Sequence, residues 1–240
     1  MPAVTLKSIW PDVTALSNAA AHIIVVESNK AIAQKGYCTI ALSGGNTPKV
    51  LYELLAAPPF SKNINWKKCF FYFGDERFVP HTSDESNYKM AMDSLLTIVP
   101  VPKKNIFGVA TENIGPATSA SAYEADVKKQ VNKSKPFDII LLGIGEEGHT
   151  ASIFPNSNLL KETKKWVSNV FVKEKNMERI TFTLPLINSA SNVIFLVSGS
   201  SKAAILKKIF SAKGKQLPAA MVHPKVNLYW LLDEAASRLI

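Results

Sequence analysis

The chain has 240 residues, 47% hydrophobic and 20% charged, which fits one large α/β domain or two small ones with a substantial core. Its longest apolar runs, such as Ile139 to Leu142 and Val193 to Val197, are strand-sized and far shorter than a membrane span. The formal net charge of +9 favours anionic partners. The basic residues nevertheless fall in scattered pairs such as Lys128-Lys129, Lys164-Lys165 and Lys207-Lys208. Without a basic run interleaved with aromatics, neither nucleic acid nor a membrane surface is expected as a partner.

In chain order, Met1 to Trp10 lacks the basic flank and apolar stretch of a secretory signal, so a cytoplasmic location is expected. Asp12 to Lys35 predicts a long helix, capped by Asp12 after Pro11 and stopped by Gly36. Tyr37 to Leu42 predicts a strand broken by Ser43-Gly44-Gly45-Asn46. Thr47 to Ala56 reads as a helix with Thr47 as N-cap and Pro48 at its first position, where a missing N–H is harmless. Cys69 to Phe73 is a second strand, ended by Gly74-Asp75-Glu76-Arg77. A helix over Ser86 to Leu96, a short strand over Asn105 to Val109 and a helix over Ala117 to Val131 follow. Phe137 to Ile144 is an apolar strand that ends in Gly143-Ile144-Gly145.

The second half keeps the rhythm, with strands at Trp166 to Val172, Ile180 to Thr183, Val193 to Val197 and Leu228 to Leu232. Short helices are expected at Leu184 to Ala190 and Lys202 to Phe210. Apolar strands alternating with helices predict an α/β, Rossmann-like fold with a mainly parallel sheet and helices on both faces. With no repeat or linker, residues 1–240 read as a single domain. Cys38 and Cys69 fall in strands and read as buried small hydrophobes without a disulfide.

In such folds ligands bind beyond the C-terminal ends of the strands, and the unusual residues cluster there. In Ser43-Gly44-Gly45-Asn46-Thr47, glycines let backbone N–H groups approach an anion, and the helix N-terminus adds positive charge. In Asp75-Glu76-Arg77, the arginine fork suits a phosphate or an oxyanion, and the acids are placed to hold it or do base chemistry. Gly143 to Ser152 puts His149 in a cleft among glycines, where it suits a general acid/base, with Glu147 two residues away to orient its ring. In Ser198-Gly199-Ser200-Ser201-Lys202, the lysine points a charge toward a phosphate or lies on a solvated helix start. Taken alone, the others also have plainer readings, as a tight turn, a surface ion pair or a structural histidine. His22, His81, His149 and His223 show no ligand spacing, so no metal is expected. No Gly-x-Ser-x-Gly elbow supports a serine hydrolase.

Taken together, Ala41 to Pro48, Phe73 to Pro80, Ser86-Asn87-Tyr88, Gly143 to Pro155, Arg179 to Thr183, Gly199 to Ala203 and Pro218-Ala219-Ala220 resemble the 6-phosphogluconolactonase family, from about Leu42 to Asp233. The resemblance implies a Rossmann-like sheet shared with glucosamine-6-phosphate deaminases (the NagB/RpiA-like arrangement). It also implies hydrolysis of 6-phospho-D-glucono-1,5-lactone in the oxidative pentose phosphate pathway, with no cofactor. Carried onto these residues, His149, Arg77 and Glu147 would be catalytic, and Ser43, Gly44, Gly45, Thr47, Asp75, Arg179 and Lys202 would bind a small phosphorylated sugar lactone. The deaminases are the nearest alternative. Their acidic motif ends in tyrosine where Arg77 stands, and their histidine is followed by Ile-Ala-Phe-Asn, unlike Thr150 to Pro155. A non-catalytic sugar-phosphate-binding protein is the third reading. One departure stands out: the family has aspartate where this chain has Glu147. The sequence leaves the oligomeric state open between monomer and weak dimer.

Overall fold

The structure, a computed structural model, describes residues 3–240; Met1 and Pro2, the start of the stretch read for a signal, lie outside them. The elements run β1 (Val4–Trp10), α1 (Val13–Lys35), β2 (Cys38–Leu42), α2 (Asn46–Ala56), α3 (Phe60–Asn63), β3 (Cys69–Phe73), β4 (Asp75–Arg77), α4 (Asn87–Ala91), α5 (Pro116–Gln130) and β5 (Ile139–Leu142). They continue with β6 (Val167–Val172), β7 (Met177–Phe182), α6 (Leu184–Ile187), β8 (Asn192–Val197), α7 (Ala203–Ile209), β9 (Asn227–Asp233) and α8 (Glu234–Ser237). Six strands form a sheet in the order β1-β9-β8-β5-β2-β3, and every neighbouring pair in it is parallel. A second, antiparallel sheet has the order β4-β7-β6.

The central strands are buried and almost wholly apolar because both faces are covered, as expected for a parallel sheet. Alternate residues serve opposite layers. Ile139, Leu141, Ile194 and Leu196 pack on one side with Leu16, Ala20 and Ile24 of α1 and Leu51 and Leu55 of α2. Ile140, Leu142, Val193 and Phe195 pack on the other with Tyr123 and Val127 of α5, Leu206 of α7 and Ile180 and Phe182 of β7. The α1 caps are those the sequence calls for. Asp12 accepts from the Ala15 N–H at 2.8 Å, and Gly36 takes φ +88°, donating to Ile32 O, a left-handed turn that glycine adopts without a Cβ clash. Cys38 and Cys69 are both buried and free, and stand opposite one another on β2 and β3.

Four expectations need correction. β1 was not anticipated; its apolar residues Val4, Leu6 and Ile9 stay largely exposed, and it forms by pairing along β9, from Val4 with Asn227 to Trp10 with Asp233. Asn105 to Val109 is not a strand. Only Ile106 bridges to Phe71, and the Asn105 amide is drawn to the Lys67 and Cys69 carbonyls at 3.2 and 3.1 Å, which turns the chain. Asp75–Arg77, read as part of the break that ends β3, is the short strand β4. Helix α2 starts at Asn46 with Gly45 at its N-cap, so Thr47 lies inside the helix and does not cap it.

The strand order reverses between β2 and β5. From β2 the chain steps outward to β3, whereas β5 leads the other way through β8 and β9. β2 and β5 pair only at Ile40 with Ile139 and Ala41 with Ile140, so they part toward their C-terminal ends. A crevice opens there, at the kind of switch point where open α/β sheets bind ligands.

Candidate active site

A cavity of about 120 Å³ lies at this crevice. Its walls are Ser43, Gly44 and Gly45 after β2, Gly143, Ile144, His149 and Ala151 after β5, Asp75 and Arg77 on β4, Arg179 on β7, and Asn87 at the start of α4. Seven residues that the sequence singled out therefore meet in one place: Ser43, Gly44, Gly45, Asp75, Arg77, His149 and Arg179. Two buried tyrosines hold the strand ends that shape it. The Tyr52 hydroxyl accepts from the Ser43 N–H at 2.9 Å and donates to the Ser43 carbonyl at 2.8 Å. The Tyr123 hydroxyl does the same for Phe73, at 2.6 and 3.1 Å. Each clip satisfies a backbone donor and acceptor together at the end of a strand.

His149 sits on a turn built by glycines. The Gly148 N–H donates to Gly145 O at 3.0 Å and the Gly145 N–H to His149 O at 2.9 Å. A Cβ on Gly145 would fall 2.1 Å from His149 Nδ1, so only glycine leaves room for the ring. Nδ1 lies 2.7 Å from Glu147 Oε1, and the ring packs on Phe154 with centroids 4.2 Å apart. Burial raises the Glu147 pKa, but its own backbone N–H, the hydrogen bond and charge of His149 and the charge of Lys202 outweigh this, and the carboxyl ends below its ordinary value. An ionised Glu147 facing Nδ1 favours the tautomer with the proton on Nδ1 and leaves the Nε2 lone pair free. Ala151, also in the wall, takes φ +48°, a left-handed conformation that is uncommon for a residue with a side chain.

β4 sorts its residues by strand alternation. Asp75 and Arg77 face the cavity, and Glu76 faces away and is fully buried. Glu76 Oε1 accepts from the Arg77 and Asn87 N–H groups, both at 2.8 Å, and Oε2 from the Tyr88 N–H at 2.7 Å and Ser86 Oγ at 3.2 Å. Burial dominates these donors and raises the Glu76 pKa. Its place is therefore under the N-terminus of α4, away from the base chemistry considered for it. Asp75 Oδ2 accepts from Ser152 Oγ at 2.7 Å and lies 3.8 Å from Arg179 Nη1. Arg77 donates to Glu85 O and is the cross-strand partner of Arg179. Burial lowers the Arg179 pKa, Asp75 opposes that, and Arg77 adds to it.

Two expected ligands stand outside the cavity wall. Thr47 is half-buried within α2. Lys202 ends a 3₁₀ turn, Ser200–Lys202, close enough for its charge to act on Glu147. The preceding Ser198-Gly199 turn is held by Asp233, which accepts from Ser198 Oγ and the Gly199 N–H. Asn87, Ser152 and the two tyrosine clips were not anticipated. The only signal for Asn87 was its place in Ser86-Asn87-Tyr88, where Ser86 caps α4.

Known proteins resemble this chain along almost its whole length. The family model for glucosamine-6-phosphate isomerases/6-phosphogluconolactonase matches residues 11–230. A 6-phosphogluconolactonase of Nostoc sp. is 40% identical over 234 residues, covering 95% of each chain. The structure of 6-phosphogluconolactonase from Trypanosoma brucei superposes with a TM-score of 0.83 at 30% identity, covering 98% of each chain. A monomeric glucosamine-6-phosphate deaminase, at 21% identity and a TM-score of 0.82 over 98% of this chain and all of its own, shares the fold. On these grounds the chain belongs to the glucosamine-6-phosphate isomerase/6-phosphogluconolactonase family.

Proposed function

We propose that the protein hydrolyses 6-phospho-D-glucono-1,5-lactone to 6-phosphogluconate, with His149 as general acid/base. The observation that carries the reading is the 2.7 Å contact between Glu147 and His149 Nδ1 beside a cavity bordered by two arginines. Relatives named 6-phosphogluconolactonase support the choice of substrate.

In the proposed route, Nε2 of neutral His149 takes a proton from water as its oxygen attacks the lactone carbonyl. The carbonyl oxygen becomes an oxyanion, stabilised by the Arg77 guanidinium. As the intermediate collapses, the C–O bond to the ring oxygen breaks, and the imidazolium returns its proton to that oxygen. The acid formed then loses its proton to solvent. Glu147 stabilises the imidazolium between the two transfers and stays charged because its own pKa is depressed.

The phosphate is assigned to the Gly44-Gly45 turn at the N-terminus of α2, to Arg179, and at the margin to Thr47 and Lys202. The cavity of about 120 Å³ is smaller than the roughly 300–1,000 Å³ common for drug-sized ligands. A phosphorylated sugar acid thus extends past its rim, toward the two marginal residues. The test is an assay with freshly generated lactone against the measured spontaneous rate. Acceleration over that baseline is expected. No acceleration, with ammonia released from glucosamine 6-phosphate, would move the protein to the deaminase reading.

A further inference from the structure

His149 and Phe154 flank a tight turn over residues 150–153, closed by the Ile153 N–H donating to Thr150 O at 2.9 Å. Thr150 Oγ1 donates to Gly143 O at 3.0 Å and Ser152 Oγ to Asp75 Oδ2 at 2.7 Å, so the turn is tied to the end of β5 and to β4. Ala151 bends it with φ +48°, a conformation disfavoured for a residue with a Cβ. The bend folds Phe154 back onto His149, and the Ser157 N–H holds the far side by donating to Phe154 O at 3.1 Å.

The two ring planes lie 30° from parallel with centroids 4.2 Å apart. An edge contact needs nearly perpendicular planes, so the imidazole rests on the face of the phenyl ring. That face carries negative partial charge and attracts a cation within about 6 Å of the centroid. Among the described residues, Phe154 has no share in the two apolar layers of the core, so core packing does not account for its place. Glu147 meets the imidazole at its edge, through Nδ1, and is half exposed to water. The phenyl face covers a side of the imidazole that the carboxylate does not touch.

We propose that Phe154 is a positioning residue for the reaction: its face fixes the plane of the His149 ring and stabilises the imidazolium by cation–π attraction, alongside the carboxylate of Glu147. The inference rests on the role proposed for His149 and deepens it. The attraction is stronger for imidazolium than for neutral imidazole. It therefore grows as the proton leaves water and lowers that barrier without tightening the hold on substrate.

The experiment replaces Phe154 by phenylalanines carrying one, three and five fluorines, which nearly keep the ring's shape and drain negative charge from its face. Phe154→Leu removes the face altogether. Steady-state kinetics on freshly generated lactone and thermal unfolding are measured on each protein. kcat is expected to fall stepwise along the fluorine series, reaching about 3- to 30-fold below wild type for the pentafluoro ring and for Phe154→Leu. KM should stay within about twofold of wild type, and the fluorinated proteins should unfold close to it. If Phe154→Leu does not fold, the fluorinated series carries the test. A wild-type kcat with the pentafluoro ring overturns the proposal alone, even where Phe154→Leu is impaired, because the ring then acts only by its shape. Wild type that gives no acceleration over the spontaneous rate overturns the lactone-hydrolysis reading and the proposal with it.

Discussion

Arg77 and Arg179 stand directly opposite each other on neighbouring antiparallel strands, and both border the same cavity. Like charges in that position repel, and the carboxylate of Asp75, 3.8 Å from Arg179, is a partial answer. In the proposed reading, an anionic ligand completes it. Replacing Arg179 by Met removes the charge and keeps most of the stem. KM for the phosphorylated lactone should rise by about 10- to 100-fold, the range of one or two charge-assisted hydrogen bonds, and kcat should change far less. Steady-state kinetics decide this, and an unchanged KM would take Arg179 out of the anchor.

Gly145 gives a sharper geometric test. An alanine Cβ there meets His149 Nδ1 at 2.1 Å and Cε1 at 2.2 Å. The obstacle is a side chain, so the ring moves and the fold stays. We expect kcat of Gly145→Ala to fall by about 10²-fold, the cost of a displacement of roughly 1 Å in a reacting group. Thermal unfolding should stay close to wild type. Full activity would show that the ring works from another position.

Glu147 reaches His149 directly, so the longer acid needs no intermediary here. Glu147→Gln keeps the reach and loses the charge that stabilises the imidazolium. Its kcat should fall by about 10–100-fold. Glu147→Asp keeps the charge and withdraws it by one methylene, and its kcat should fall between glutamine and wild type. A kcat at or above wild type in Glu147→Asp would mean that the turn adapts to the shorter acid.

The parallel sheet was readable because β2, β3, β5 and β8 are apolar runs bounded by glycine or polar turns, and each strand end carries its chemistry in plain view. Six of the seven expected residues that line the cavity stand in the strand-end motifs, and Arg179 came with the family resemblance. What the sequence hid depends on tertiary partners. β1 exists only along β9, and β4 only along β7. Asn87 is an ordinary polar residue until Asp75 and Gly44 enclose it. Tyr52 and Tyr123 look like core aromatics, and their hydroxyl contacts with Ser43 and Phe73 join residues 9 and 50 positions apart. Glu76 is indistinguishable in sequence from its neighbour Asp75, and strand alternation sends the two to opposite sides.

Glu76 also gives stability a sign. Its folded pKa is raised by burial. Between the ordinary glutamate value of about 4.3 and that raised value, the folded state holds more protons than the unfolded one, so stability falls as pH rises. The wild type minus Glu76→Gln difference in unfolding free energy should therefore decline with pH across that window and level off above it. Chemical denaturation between about pH 4 and 7 measures it. A difference that grows with pH would mean that the four donors outweigh burial.

The claim on which the rest depends is that His149 moves the proton in lactone hydrolysis. Its direct measurement is kcat for His149→Asn beside wild type, on the same freshly generated 6-phospho-D-glucono-1,5-lactone, with 6-phosphogluconate affinity and thermal unfolding taken on both proteins. The account requires kcat to fall by about 10²–10⁴-fold, with product affinity and unfolding close to wild type. A folded His149→Asn protein that turns over at the wild-type rate would refute it.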